Sequence, residues 1–306
     1  MAGSSSSVPF NLQGKTAIVT GAGSGINLCF ADLLLSKGCN VVFADLSLRP
    51  EAQKVVGEHS AKSTGKARAI FQQTDVTDWK QLRALFSVAS REFGDVDIVC
   101  PAKSKDSQDS GHYATLDINI NHPIRTTQLA VAYFLNHKGK ASPANPKRIV
   151  HISSIAGETA SFATPLYHAS KWAIMGFVRS LEWLEQLGIR VNVVAPGVIK
   201  TPLWTDHPEK QMMVDESKDE WATPEEVAEA MLRLVVDDEC PGGTVLEVGH
   251  KQTRKVPLFN NPGPSGTGNT VSGIGKAFEE VYGWLGQEGW GKDSLCEEVS
   301  EVRPVL

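Results

Sequence analysis

Much of what would mark other protein classes is missing from this chain of 306 residues. Its five cysteines (Cys29, Cys39, Cys100, Cys240, Cys296) are odd in number, scattered and without paired metal spacing. That excludes a disulfide framework and fits reduced thiols in an intracellular protein. The eight histidines form no HExxH-type cluster, so no metal site is expected. A net charge of −5 without a basic stripe argues against nucleic acid as the main partner. No apolar run approaches a membrane span. Residues 1–9, MAGSSSSVP, lack the charged and apolar regions of a secretory signal. The cytosol is therefore the default location, and 1–11 reads as a flexible polar arm. No internal repeat is evident.

What is present is ordinary for a soluble globular protein: 41% hydrophobic and 21% charged residues. The length allows one large α/β domain or two small ones, with a substantial core. Short apolar runs alternate with helical patterns. Expected strands cover 16–20 (TAIVT), 40–44 (NVVFA), 67–71, 96–100 (VDIVC), 148–152, 189–194 and 243–248 (GTVLEV). Such alternation predicts an α/β fold built as a doubly wound, Rossmann-like parallel sheet. Among the helices, Trp79–Phe93 begins after Asp78, which suits a cap, and another begins at Thr223-Pro224-Glu225-Glu226, where cap, first-turn proline and acids agree.

The first strand opens into Gly21-Ala22-Gly23-Ser24-Gly25-Ile26-Asn27, followed by helical periodicity to Gly38. Strand, glycine turn and helix in succession bring backbone N–H groups and a positive helix end to a phosphate. Gly21, Ser24, Gly25 and Ile26 are the candidate cofactor-binding residues of this turn. Asp45 ends the second strand. There a carboxylate accepts from both hydroxyls of an adenosine ribose and repels a 2′-phosphate, which favours NAD over NADP. The plainer alternative is that Asp45 caps its own turn. Arg49, four residues on, could instead welcome the extra phosphate.

The stretch from Arg148 to Ile174 organises the rest. Tyr167 and Lys171 stand four apart on a helix and so share a face. Ser154 leaves the preceding strand, where a sharp connection brings its hydroxyl to the phenol. A free tyrosine titrates at about 10, and a neighbouring cation stabilises its phenolate. A phenol, a hydroxyl and an amine together can move a proton to or from a substrate oxygen. Otherwise Tyr167 anchors a buried helix and Lys171 reaches solvent.

The segment Ser154…Tyr167-His168-Ala169-Ser170-Lys171, with the spacing of the glycine turn, resembles the signature of the short-chain dehydrogenase/reductase family. The resemblance covers 12–249, read as a single Rossmann-fold domain with a C-terminal extension over 250–306. It implies a seven-stranded sheet of order 3-2-1-4-5-6-7 and a homodimer or homotetramer. Within the family, TGAGSGIN, FADLSLRPEAQ and DININHPIRTTQ resemble the group of 15-hydroxyprostaglandin dehydrogenase and fungal secondary-metabolite enzymes such as 5′-hydroxyaverantin dehydrogenase. The implied reaction is NAD-dependent oxidation of a secondary alcohol to a ketone on a fairly hydrophobic small molecule. NADPH-dependent ketone reduction is the alternative.

By the same resemblance, Tyr167 is the base, Ser154 positions the oxygen, and Lys171 lowers the tyrosine pKa and binds cofactor ribose. Asn119 would hold a water, at a helix irregularity, that connects the lysine to solvent; on its own it equally reads as a buried, satisfied asparagine. Asp75 and Val76 would meet adenine. Pro196, Gly197, the Ile199 backbone and the Thr201 hydroxyl would meet nicotinamide, though Thr201 could equally cap a helix. The chain departs from the family at Asn27, in place of a third glycine, which either shifts the helix or offers its amide to the cofactor. It departs again at Pro101-Ala102-Lys103-Ser104-Lys105, where small residues usually stand. That departure implies a different substrate mouth, or a binding subunit with impaired cofactor affinity. The mixed segment 203–221, with Trp204, Met212, Met213 and Trp221, reads as a lid or as helix core.

Overall fold

A computed structural model describes residues 10–60, 66–101, 113–201, 220–259, 263 and 274–292. Its centre is β1 (Thr16–Thr20), buried at every position because helices cover both faces of the sheet. Along it the side chains alternate. Ala17 and Val19 enter one core with Val41 and Phe43, whereas Ile18 enters the other with Val42 and Ala44.

Around it lie β2 (Asn40–Asp45), β3 (Ala69–Gln73), β4 (Ile98–Cys100), β5 (Lys147–Ile152), β6 (Ile189–Pro196), β7 (Val245–Gly249) and β8 (Gln252–Lys255). The sheet order is β3-β2-β1-β4-β5-β6-β7-β8. The first seven strands are parallel and in the expected order. The eighth was not expected. It runs antiparallel to β7, with Glu247 opposite Arg254, and lies beyond Gly249, where the sequence places the end of the domain. All four β8 residues are exposed, and its basic side chains suit an outer edge that must not recruit another strand.

One face carries α1 (Gly25–Ser36) and α7 (Pro224–Val236), whose Phe30, Leu34, Val227 and Met231 build the first core. The other carries α3 (Trp79–Phe93), α5 (His122–Asn136) and α6 (Pro165–Ser180), with Leu82, Phe86, Leu129, Phe134 and Ile174 in the second. α2 (Pro50–Glu58) follows β2, a short α4 (Ala114–Leu116) runs through a π-helical turn (Asp117–Asn121) into α5, and α8 (Ile274–Leu285) follows the sheet. Both caps read from the sequence are formed. Asp78 accepts from Lys80 and Gln81, and Thr223 and Glu226 make a reciprocal capping box. No described helix is long and apolar enough to cross a membrane.

Successive strands wind outward in opposite directions from β1 and β4, so a crevice opens beyond their carboxyl ends. The opposite end of the sheet is closed by charge. Buried Lys147 reaches Asp95 at 2.9 Å and buried Asp97 at 3.0 Å, and Lys15 joins Asp97 at 2.9 Å. Removing one member of a buried ion pair strands the others. Lys147→Met should therefore lower unfolding free energy by about 3 kcal/mol, and the partly exposed Lys15→Met by less. Urea titrations of both variants measure the difference.

Candidate active site

The glycine turn sits at the mouth of the crevice. Gly21 (φ 68°) and Gly25 (φ 62°) occupy the left-handed region that side-chain-bearing residues avoid. Gly23 is required by space: a Cβ there would stand 2.2 Å from the Ser47 carbonyl oxygen and 2.8 Å from Asp45 Oδ2. At Ser24, the N-cap of α1, no side-chain cap forms, and the first turn holds no acid. The positive end of that helix is thus left to an external anion, as a pyrophosphate requires. Asn27 turns its amide inward: Nδ2 donates to the Thr20 carbonyl at 3.2 Å, while Oδ1 is buried without a partner among the described residues. It therefore braces the end of β1 and does not reach out to a cofactor.

Asp45 serves its own turn and the glycine turn. Its Oδ2 accepts from Gly23 N–H at 2.8 Å and its Oδ1 from Leu46 N–H at 2.7 Å, which leaves one lone pair on each oxygen. Beyond the end of β3, Asp75 Oδ1 accepts from the N–H and the hydroxyl of Thr77 at 2.9 and 2.7 Å. Val76 is only 2% exposed and packs into the core beneath α3. Beside it, a cavity of about 360 Å³ is lined by Val76, Thr77, Trp79, Asp117, Asn121 and His122. Trp79, over which Arg125 stacks at 4.8 Å, is a wall residue that the sequence reading overlooked.

β5 delivers Ser154 in an extended conformation (φ −171°), with its hydroxyl 3.4 Å from the Pro196 carbonyl and accepting from Ala156 N–H at 3.2 Å. Ser153 next to it donates to the Lys171 carbonyl at 3.0 Å and so fixes α6 against the strand. Tyr167 lies in the first turn of that helix. The buried Lys171 ammonium is 5.6 Å from its ring centre and donates to the Ile152 carbonyl at 3.3 Å. Burial raises the Tyr167 pKa above the ordinary phenol value, and a hydrogen bond with Ser154 works in the opposite direction. In this arrangement burial outweighs the Ser154 hydrogen bond.

Asn119 lies on the π-helical turn and is buried. Its Nδ2 donates to Ser170 Oγ at 3.0 Å, and that hydroxyl donates to the Tyr167 carbonyl at 2.7 Å, while Asn119 Oδ1 is buried without a partner among the described residues. Ser170 is a link the sequence reading missed, although it stands next to Lys171 in the motif. Across the crevice, Gly197 N–H bonds the Val248 carbonyl at 2.9 Å, and buried Ile199 bridges to Ala222. Thr201 comes within 3.8 Å of where a Gly25 Cβ would stand, so the turn after β6 faces the glycine turn. Lys103, with all of the 101–112 connection after Pro101, and most of the lid segment, 202–219, lie outside the described residues.

The family model for short chain dehydrogenases matches residues 15–212, about two thirds of the chain. The chain belongs to the short-chain dehydrogenase family. As such it is an NAD(P)-dependent oxidoreductase acting on CH–OH groups. Among relatives of this short-chain dehydrogenase, mouse 15-hydroxyprostaglandin dehydrogenase [NAD(+)] is 31% identical over 246 residues, 76% of this chain and 89% of that protein. Cyclohexanol dehydrogenase of an Acinetobacter species is 33% identical over 73% of this chain and 88% of its own. A solved short chain dehydrogenase from Burkholderia cenocepacia in complex with NADP superposes with a TM-score of 0.63. It is 27% identical, over 78% of this chain and 98% of its own.

The glycine cradle and the uncapped helix end fit a dinucleotide. Gly23→Ala should push the Ser47 carbonyl and Asp45 aside and weaken NADH binding at least about tenfold. Titration of nicotinamide fluorescence reads the loss, with circular dichroism confirming the fold.

Proposed function

We propose that this enzyme oxidises a secondary alcohol on a fairly hydrophobic small molecule to the ketone, with NAD⁺ as acceptor. The observation that carries this reading is the convergence of Ser154, Tyr167 and Lys171 at the carboxyl end of the sheet, beside the glycine turn. Tyr167 takes the hydroxyl proton, Ser154 holds the substrate oxygen, and Lys171 favours the phenolate. The cofactor accepts hydride, and its oxidised ring adds the positive charge that offsets the burial of Tyr167. Gly21, Ser24, Gly25 and Ile26 would hold its pyrophosphate, Asp75 its adenine, and Pro196, Gly197, Ile199 and Thr201 its nicotinamide. Asn119, through Ser170, supports the proton path. Ile155 and Phe162, exposed between Ser154 and Tyr167, suit an apolar substrate. The names of the prostaglandin and cyclohexanol dehydrogenases agree with an alcohol substrate on a hydrocarbon frame.

NAD is favoured by the Asp45 carboxylate, which would repel a 2′-phosphate. The contrary observation is Arg49, whose N–H bonds the Gly23 carbonyl at 3.2 Å and so sits at the same turn; it supports NADPH-dependent ketone reduction as the second reading. Titrating the unaltered protein with NADH and NADPH separates the two. Asp45→Ala should move the preference toward NADPH by about tenfold or more. Tighter NADPH binding before any substitution would overturn the first reading.

Tyr167→Phe should reduce turnover by about 10²–10⁴-fold while NADH still binds. The oxidation rate should rise with pH as the phenol ionises. Lys171→Met should displace that rise to higher pH, because the cation that favours phenolate is gone. Steady-state pH profiles of the three proteins test the roles; full activity in Tyr167→Phe would remove Tyr167 as the base.

A further inference from the structure

His122 is buried between β1 and α5 and has no part in the chemistry described so far. It stands where the π-helical turn meets α5, directly before Pro123. In an α-helix, each carbonyl accepts from the N–H four residues on. Here the backbone N–H of His122 bonds the Asp117 carbonyl, five residues back, and so turns away from Ile118. The N–H five residues beyond Ile118 does not exist, because that residue is Pro123. The Ile118 carbonyl is thus passed over by both helical patterns. His122 Nδ1 lies 3.3 Å from it.

A carbonyl oxygen only accepts, so Nδ1 carries the ring proton and Nε2 is left as an acceptor. Nε2 faces the Thr20 hydroxyl at 3.4 Å, which also lies 3.4 Å from the Cys100 carbonyl. Burial holds the ring neutral, with its pKa pushed down to about 4. Thr20 is the last residue of β1, and its carbonyl receives the Asn27 amide. On the other side of the imidazole, Asn119 follows Ile118 and bonds Ser170, which bonds the Tyr167 carbonyl.

We propose that His122 is a positioning residue: it ties the π-helical turn to the end of β1 and thereby sets Asn119 against Ser170 and the helix that carries Tyr167. The inference rests on the reading of Tyr167 as base and of Asn119 as part of its proton path. A leucine at 122 removes the donor to the Ile118 carbonyl and the link to the Thr20 hydroxyl, and the turn can then shift. Asparagine places an amide donor where Nδ1 was and keeps the bond to Ile118.

The test compares His122→Leu, His122→Asn, Thr20→Val and Tyr167→Phe in alcohol oxidation, with NADH titration and urea unfolding of each. His122→Leu should lower kcat by about tenfold or more, as small misplacements do. Its pH profile should shift, while the KM for the alcohol and NADH affinity stay within about twofold. His122→Asn, which keeps the Ile118 bond but not the link to Thr20, should recover most of kcat and leave only the smaller profile shift expected of Thr20→Val. Thr20→Val, which removes only the hydroxyl facing Nε2, should show a smaller shift of the same kind and carries the test if His122→Leu does not fold. An unchanged pH profile in His122→Leu, or in Thr20→Val where it stands in, would overturn the proposal. So would a loss in His122→Leu that asparagine does not rescue. With Tyr167→Phe inactive, either result brings down the role of His122 alone, whereas full activity in Tyr167→Phe brings down both.

Discussion

The fold depends on one constraint: a parallel sheet buried on both faces has nowhere to display function except its ends. With α1 and α7 on one side and α3, α5 and α6 on the other, every inward side chain of β1 is committed to packing. Residues free to do chemistry are those at which a strand has just stopped. Gly21, Asp45, Ser154 and Gly197 each stand at or beyond such a point. The two ends are then used differently. At the amino ends, Lys147, Asp95, Asp97 and Lys15 pair among themselves. At the carboxyl ends, polar groups are held short of full pairing, which is what a binding crevice requires.

The electrostatics of Tyr167 follow from the same geometry. A phenol half-buried at the foot of a crevice loses the water that would solvate its anion, and burial raises its pKa. Lys171 is close enough to favour the anion, yet part of its donating capacity goes to the Ile152 carbonyl. The pair therefore forms a site whose basicity depends on what binds beside it. A positive charge arriving beside the pair would offset that burial by favouring the phenolate.

Residues whose role is local were legible in the sequence. TAIVT before a glycine turn, Asp78 before a helix and Thr223-Pro224-Glu225-Glu226 each carry their structural meaning within a few positions. Strand ends were less so: the third strand spans Ala69–Gln73, two residues beyond the expected 67–71, because its outer half alternates with exposed Gln73 and lacks an apolar run. β8 was invisible for a stronger reason. QTRK is exposed throughout, so neither hydrophobic alternation nor burial marks it; only its pairing with β7 makes it a strand. The same limit hid Ser170 and His122, whose partners Asn119 and Thr20 lie 51 and 102 residues away. Asn27 was visible as a departure, but the direction of its amide depended on where the Thr20 carbonyl ended up.

The polar seam between the sheet and α5 explains why a hydrophobic core was not simply continued there. Buried polar atoms without partners are costly, and folding tends to pair them. Along this seam, Thr126 and Thr127 return their hydroxyls to carbonyls of their own helix, and Thr127 also meets His151 Nε2 at 3.0 Å. A segment made only for stability would replace such groups with apolar ones of similar shape at little loss. Their retention makes sense if the seam must hold a non-α turn in one arrangement, because hydrogen bonds specify geometry that apolar contact leaves loose. Two acceptors without partners among the described atoms, Oδ1 of Asn27 and Oδ1 of Asn119, lie on the segments that border the crevice. One underlies the glycine turn and the other lies on the π-helical turn before α5.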